Sequence, residues 1–203
     1  MVELIYLIRH GETSWSRSGQ HTGRTDVPLT AQGEQQARQV GLRLRGLSFT
    51  QVLVSPMQRA QRTCELAGLG AQAQLEPRLQ EWNYGEYEGL TSVQIRAVRP
   101  DWDVFRDGCP GGESPEQVTA RVEQVLAALR AMQGRVALFS HGHVLRALAM
   151  RWIELPLGAG MHFGLDAASL SLLGYEHHNV HEPAIELWNE ASKDPREPRP
   201  TAG

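Results

Sequence analysis

Cysteine and lysine are scarce in this chain of 203 residues. Its two cysteines, Cys64 and Cys109, form neither a CxxC pair nor a metal-binding spacing, which excludes a disulfide-rich scaffold. Cys64 falls within a helical pattern and is predicted to be a small core residue. Lys193 is the only lysine, so arginine supplies nearly all of the positive charge.

Long apolar runs and a strong net charge are also missing. No segment reaches the roughly 18 apolar residues that a membrane span requires. The first apolar run has only the length of a strand and ends in charge, so we expect no signal peptide. The net charge of -3 provides no basic field to attract nucleic acid or an anionic membrane. We therefore expect a cytoplasmic protein with neither kind of partner.

Short apolar runs alternate with helical patterns along the chain. This alternation predicts an α/β fold, a three-layer α/β/α sandwich with a mainly parallel sheet. The predicted strands are 4–8, 52–54, 74–76, 136–140, 169–175 and 184–188. The last two are close in sequence, so they are expected to run antiparallel to each other. The predicted helices are 30–47, 57–69, 91–98, 144–153 and one beginning at Ser114, whose capping pattern includes Pro115 and Gln117.

The length fits one sizeable domain, predicted to cover residues 1–191. Within it, residues 10–28 read as a polar loop. Residues 81–113 carry aromatic side chains among glycines and acids, and they are predicted to form a lid-like excursion over one edge of the sheet. Residues 192–203, rich in Pro, Arg and Glu, are predicted to be a disordered tail.

Two of the predicted strands end in a histidine followed by glycine. The first runs into Arg9-His10-Gly11, and the later one runs into Ser140-His141-Gly142-His143. In open α/β sheets, ligands bind at the carboxyl ends of the strands. Two histidines at that edge, with arginines nearby, indicate a site for an anionic substrate.

These residue types suit phosphoryl transfer without a metal. A neutral imidazole at His10 can attack phosphorus, and the guanidinium groups of Arg9 and Arg59 can bind phosphate oxygens in pairs. Nearby cations are expected to lower the pKa of His10 and keep it neutral. His141 can add a hydrogen-bond donor, and Glu81 is the candidate proton donor to the leaving oxygen.

Four motifs in order resemble the histidine phosphatase superfamily, also called phosphoglycerate mutase-like. The first is Arg9-His10-Gly11-Glu12-Thr13, with Thr22-Gly23 and Pro28-Leu29-Thr30 after it. The other three are Ser55-Pro56 with Arg59, Leu79-Gln80-Glu81 with Tyr84-Gly85, and Ser140-His141-Gly142 with Arg146. The resemblance covers about residues 4–175, and it implies the phosphoglycerate mutase-like fold.

The resemblance also implies roles for individual residues. His10 would be the phosphohistidine nucleophile and Glu81 the proton donor, while Arg9, Arg59 and His141 complete the phosphate pocket. The loop between Ser16 and Gly23 would contact phosphate or substrate, although many members carry Asn at the position of Ser16. The substrate-binding residues expected on this basis are Arg9, Ser16, Thr22, Gly23, Arg59, His141, Gly142 and His143. No metal or other cofactor is expected.

Within the superfamily, the sequence looks most like a phosphatase branch that includes broad-specificity acid phosphatases and resembles sedoheptulose bisphosphatases. Only sixty positions (141 minus 81) separate Glu81 from His141, whereas mutases usually carry a longer insertion there. We therefore predict hydrolysis of a small phosphorylated metabolite, with phosphoglycerate mutase-type transfer as the alternative. A homodimer is expected by analogy with the family alone.

The sequence is compatible with several other interpretations. Glu86 or Glu88 could be the acid instead of Glu81. His143 could touch a substrate hydroxyl or only bond within the start of its helix. His10, His141 and Glu81 could instead bind a metal that activates water, although Arg9 would repel a dication. The chain could also bind phosphorylated ligands without turning them over.

Overall fold

A six-stranded mixed sheet forms the centre of the computed structural model, which describes residues 1–191. Its strands are β1 (Val2–Arg9), β2 (Gln51–Val54), β3 (Ala73–Leu75), β4 (Gly134–Ser140), β5 (Leu170–Tyr175) and β6 (Pro183–Glu190). The helices are α1 (Ser14–Ser18), α2 (Ala31–Leu44), α3 (Gln58–Leu66), α4 (Ser92–Val98), α5 (Val104–Asp107), α6 (Pro115–Ala131) and α7 (Gly142–Trp152). Short 3₁₀ turns occupy Gly70–Gln72, Pro77–Leu79, Gly85–Tyr87, Leu157–His162 and Glu176–His178.

The strand order is β3-β2-β4-β1-β5-β6. The first four strands are mutually parallel, and β5 runs antiparallel to both of its neighbours. The predicted mainly parallel sheet with an antiparallel closing pair is therefore confirmed. Because β1 and β4 lie side by side with Arg9 opposite Ser140, His10 and His141 leave the sheet at the same edge.

Alternating side chains of the strands supply two cores, one on each face of the sheet. Ile5 and Leu7 pack with α6 and α7, while Tyr6 and Ile8 pack with α2 and α3. Burial on both faces explains why these strands read as continuous apolar runs. The predicted three-layer α/β/α sandwich is confirmed, and Cys64 is a buried core residue with a free thiol.

Side-chain caps fix where α2 and α6 begin, whereas α3 and α7 begin without one. Ser114 caps α6 in a reciprocal pair with Gln117, with Pro115 in the first turn, as the sequence predicts. Thr30 caps α2 by accepting from the Gly33 amide. The expected loop after His10 contains a short helix, α1, begun by a capping box between Thr13 and Ser16. The loop prediction was wrong there because this box stabilises a helix too short to show periodicity.

The segment 81–113 packs tightly against the sheet and its helices. Trp82, Tyr84, Trp102 and Phe105 are all buried and belong to the same core as α6 and α7. The sequence predicts one short helix in this stretch, and the structure adds α5. These four side chains therefore anchor the segment in the core.

The predicted tail, 192–203, lies outside the described residues. Among residues 1–191, every helix is too short or too polar to cross a lipid bilayer.

Candidate active site

A cavity of about 160 Å³ opens at the carboxyl edge of β1 and β4. Seven of the predicted site residues line it: Arg9, His10, Ser16, Thr22, Glu81, Gly142 and His143. Three others, Gly23, Arg59 and His141, lie behind this wall. The other lining residues are Gly19, Gln20 and His21, from the loop expected to contact substrate, Tyr84 and Arg146, from the second pair of motifs, and Leu165, which the sequence does not indicate.

His10 is held as a neutral imidazole with one free nitrogen. Its Nδ1 lies 2.7 Å from the Gly11 carbonyl oxygen, which can only accept, so Nδ1 carries the proton and Nε2 keeps its lone pair. Burial, followed by the charges of Arg9 and Arg59, places the pKa of His10 well below its usual value of about 6.5. The ring is therefore neutral at physiological pH, as nucleophilic attack requires.

The backbone that carries His10 is fixed by a close contact with α2. A Cβ added at Gly33 would lie 2.1 Å from the Glu12 carbonyl oxygen, and one added at Gly11 would lie 2.3 Å from the Gly33 carbonyl oxygen. Only two glycines allow the chains to approach this closely. On the other side, the Gly11 amide donates to the Thr63 hydroxyl at 3.0 Å. These contacts hold the nucleophile between two helices.

His141 lies beside His10, with ring centroids 5.2 Å apart. The Arg59 Nε donates to His141 Nδ1 at 3.1 Å, so in the neutral ring Nε2 carries the proton and donates to the Ser55 hydroxyl at 2.7 Å. Burial, followed by Arg59 and His10, sets the pKa of His141 well below its usual range. Both ring nitrogens are therefore engaged by the protein in this structure.

Arg59 is fully buried and ties this histidine to the substrate loop. Its Nη1 donates to the Thr25 carbonyl at 3.0 Å, and its Nη2 donates to the carbonyls of Thr22 and Gly23 at 3.1 and 2.9 Å. The Asp26 carboxylate lies 3.9 Å from Nη1. Arg59 thus holds both the loop and His141 by hydrogen bonds, and it does not line the cavity itself.

Arg9 presents a less satisfied guanidinium to the cavity. Its Nη1 donates to the Leu165 carbonyl, whereas its buried Nε has no hydrogen-bond partner within residues 1–191. A buried, unpaired cationic donor is costly unless an anion completes it. Gly142 lies beside this side chain: a Cβ there would be in ordinary van der Waals contact with the guanidinium carbon, at 3.4 Å.

Of the three candidate acids, only Glu81 lines the cavity. Its Oε1 accepts from the amides of Trp82 and Val144, and its Oε2 accepts from the His143 amide, at 2.9 to 3.0 Å. Two of these donors belong to the first turn of α7, where the helix dipole favours negative charge. Glu86 is exposed, and Glu88 binds the amides of Gly23 and Thr25 instead.

A cluster of neutral rings continues the wall beyond Glu81. The Tyr84 hydroxyl and His143 Nδ1 lie 2.6 Å apart, and the His21 ring packs 4.8 Å from Tyr84. Burial is the main reason that the pKa of His143 falls well below its usual range and that of His21 falls to about 4. His21 lies within the predicted loop, but a single histidine in a polar loop carries no periodic or motif signal.

Ser16 and Thr22 line the cavity, and their hydroxyl groups form hydrogen bonds with nearby backbone atoms. The Ser16 hydroxyl accepts from the Thr13 amide at 2.9 Å in the capping box of α1. The Thr22 hydroxyl donates to the Gln20 carbonyl at 3.3 Å.

Residues 1–191 contain no group of three or more His, Cys, Asp or Glu side chains arranged to hold a metal ion.

Comparison with known proteins gives the class to which this site belongs. The sequence profile of the histidine phosphatase superfamily (branch 1) matches residues 5–191. The chain belongs to this superfamily, and the resemblance seen in its four motifs is confirmed.

Individual relatives support the phosphatase branch. An acid phosphatase of Mycobacterium tuberculosis is 46% identical, covering 85% of this chain and 87% of its own. A sedoheptulose 1,7-bisphosphatase of Saccharomyces cerevisiae is 31% identical, with 94% of each chain covered. A Salmonella choleraesuis protein named "Probable phosphoglycerate mutase" is 37% identical, with 85% of each covered.

The fold comparison agrees with these relatives. The solved structure of a Mycobacterium tuberculosis open reading frame product superposes with a TM-score of 0.87 and 41% sequence identity. The match covers 93% of this chain and 98% of the other. The predicted phosphoglycerate mutase-like fold is confirmed.

Proposed function

We propose that this protein is a phosphatase that hydrolyses small phosphate monoesters through a phosphohistidine on His10. One observation carries the proposal: the Nδ1–H of His10 bonds to the Gly11 carbonyl, so the lone pair of Nε2 is available in a cavity that also contains the incompletely bonded Arg9. A nucleophile beside an unsatisfied guanidinium suits a phosphate dianion. Phosphatase-named relatives support the same activity.

The reaction takes two steps. His10 Nε2 attacks phosphorus in line, forming an N–P bond as the P–O bond to the leaving group breaks. Glu81, protonated at this stage, gives its proton to the leaving alkoxide and becomes a carboxylate. The three amides around it then stabilise that carboxylate, which takes a proton from the attacking water. Water breaks the N–P bond, and phosphate leaves with His10 restored.

The proposal needs no metal, because arginine charge supplies the electrostatic stabilisation. It names water as the acceptor, and phosphoglycerate mutase-type transfer is the alternative that one named relative favours. We further propose a cytoplasmic protein that acts on a small phosphorylated metabolite and has no nucleic-acid or membrane partner. The free cysteines and modest net charge support this setting, and the homodimer rests on family analogy alone.

His10→Ala tests the nucleophile. We expect it to abolish hydrolysis of p-nitrophenyl phosphate in the presence of EDTA, with the unfolding temperature close to that of the unmodified protein. The matched control is His181→Ala, at an exposed position, which should leave turnover unchanged.

The intermediate can be trapped directly. Rapid quenching with a labelled phosphomonoester should give acid-labile, base-stable label on His10 and no other residue. Label elsewhere, or activity that disappears in EDTA and returns with zinc, would overturn the proposal. Turnover by His10→Ala at the unmodified rate would also overturn it.

A further inference from the structure

We propose that this site selects phosphomonoesters that carry a second anionic group, which Arg146 binds. The inference rests on the proposed function and narrows its substrate class. The cavity has two cationic residues in its wall. Arg9 lies beside the nucleophile at the end of β1, and Arg146 lies on α7. The transferred phosphoryl group binds Arg9, and Arg146 faces the remainder of the substrate.

The position of Arg146 follows from the helix that carries it. Gly142 begins α7, and His143 and Arg146 are three residues apart, so they share one face of the helix. His143 and Arg146 both line the cavity. Three residues correspond to a rise of about 4.5 Å along a helix. Arg146 therefore lies about one turn beyond the Glu81 carboxylate, which binds the His143 amide.

Packing holds the Arg146 guanidinium in place. Its central carbon lies 4.6 Å from the centre of the Phe105 ring, and its Nε and Nη2 both donate to the Gly160 carbonyl. Gly160 itself has no room for a side chain, because a Cβ would lie 2.8 Å from the Phe105 ring. These contacts leave Nη1 without a protein hydrogen bond among the described residues. A donor fixed in this way loses little conformational entropy when it binds a ligand.

Arg146 has no ion-pair partner among the described residues, although the charge of Asp103 attracts it. Within residues 1–191, no carboxylate lies within 4.0 Å of it, whereas Arg151 on the same helix pairs with Glu123 at 2.6 Å. The nearby Asp103 instead caps α5 by accepting from the Phe105 amide. With its histidines neutral and Glu81 protonated, as the first step of the proposed reaction requires, the charged groups of the cavity wall are two guanidinium groups. This arrangement suits a substrate with a second negative charge.

The space between the two arginines limits the substrate. The cavity, at about 160 Å³, is smaller than a typical drug-sized pocket of roughly 300 Å³ or more. Part of its wall consists of neutral rings, those of His21, Tyr84 and His143. Such rings can donate hydrogen bonds to substrate hydroxyl groups or accept hydrogen bonds from them. The class that fits is a short hydroxylated phosphomonoester whose second group is a carboxylate or a phosphate.

Two matched substrate pairs test the inference. The first pair, 3-phosphoglycerate and glycerol 3-phosphate, differs by a carboxylate in place of a hydroxymethyl group. The second pair, fructose 1,6-bisphosphate and fructose 6-phosphate, differs by one phosphate. We expect kcat/KM to favour the doubly anionic member of at least one pair by about 10- to 150-fold, the range of one charged hydrogen bond. The pair that shows the preference identifies the second group.

Arg146→Gln should reduce that preference, taken as the ratio of kcat/KM within each pair for the variant itself, to within about threefold. Arg151→Gln, on the same helix and ion-paired to Glu123, is the matched control and should keep the preference. Arg146→Lys covers the case in which the Gln variant does not fold, since it keeps the charge; it should retain part of the preference.

Equal kcat/KM within both pairs in the unmodified protein would overturn the inference, and so would a preference that survives Arg146→Gln. Hydrolysis of p-nitrophenyl phosphate, which has no second anionic group, separates this failure from failure of the proposed function. If that activity is present and depends on His10 while both pairs show no preference, only the inference about Arg146 fails.

Discussion

At the residue scale, the site works by fixing where protons lie on its imidazole rings. A carbonyl on His10 Nδ1 and an arginine on His141 Nδ1 place the two protons on different nitrogens. His10 therefore faces the cavity as a nucleophile, while His141 donates to Ser55 and supports the ring beside it. Arg59 fixes the position of the proton on His141 and also holds the loop at residues 22–25.

Arg59→Lys tests that double role. Lysine keeps the positive charge but cannot make four directed hydrogen bonds to His141, Thr22, Gly23 and Thr25. We expect kcat to fall by about 100-fold or more, because losing even one or two charged hydrogen bonds has that magnitude. Steady-state kinetics with p-nitrophenyl phosphate measures it. Arg62→Lys, on the exposed side of α3 with ion pairs to Glu34 and Glu65, should keep full activity. Similar rates for both variants would contradict the role given to Arg59.

At the scale of secondary-structure elements, three junctions build the site. The parallel pairing of β1 with β4 places the two histidines together, and the amino end of α7 supplies two amides to Glu81. The amino end of α2 presses on the backbone after His10 through Gly11 and Gly33. The last junction contains a backbone contact with no room for a side chain, beside the hydrogen bonds that join Glu12 to Thr30 and Gln36.

Gly33→Ala isolates this contact. Alanine is favoured over glycine inside a helix by up to about 1 kcal/mol, so propensity alone predicts stabilisation. Here the added Cβ would lie 2.1 Å from the Glu12 carbonyl oxygen, so either α2 or the loop after His10 must move. We expect a lower free energy of unfolding and a kcat reduced by at least about tenfold, since misplacing the nucleophile slows attack. Urea denaturation and steady-state kinetics measure the two effects.

The matched control for this change is Gly158→Ala. Within residues 1–191, no atom beyond its own chain neighbours lies within 4 Å of the position its Cβ would take, so we expect stability and activity to stay near their original values. A Gly33→Ala protein with both properties unchanged would show that the close approach is not needed.

The sequence predicts those parts of the molecule that local patterns encode. The apolar runs give the strands, the cap at Ser114 gives the start of α6, and the histidine after each of two strands gives the centre of the site. What it does not predict depends on long-range packing. Arg146 belongs to the closing motif and His21 to the loop expected to contact substrate, but their places in the cavity wall depend on how the segment 81–113 folds against α7.

At the scale of the whole molecule, the fold holds several histidines in their neutral form. Burial is the first cause of the low pKa of His10, His21, His141 and His143. In the unfolded chain, each would return to a pKa of about 6.5. As the pH falls below that value, the unfolded chain binds protons that the folded protein cannot bind. Stability is therefore expected to decrease with decreasing pH, well before carboxylates titrate.

His21→Phe tests this linkage at one position. The pKa of His21 is about 4 in the fold, so between pH 6.5 and pH 4 this residue makes the free energy of unfolding fall by up to ~1.4 kcal/mol per pH unit. Phenylalanine keeps the packing against Tyr84 and Trp102 but cannot bind a proton. We expect urea denaturation at pH 7.0, 6.0 and 5.0 to show a shallower pH dependence in this variant, by up to one proton. The exposed His181→Gln should keep the original slope. An unchanged slope in His21→Phe would mean that His21 becomes protonated in the folded protein.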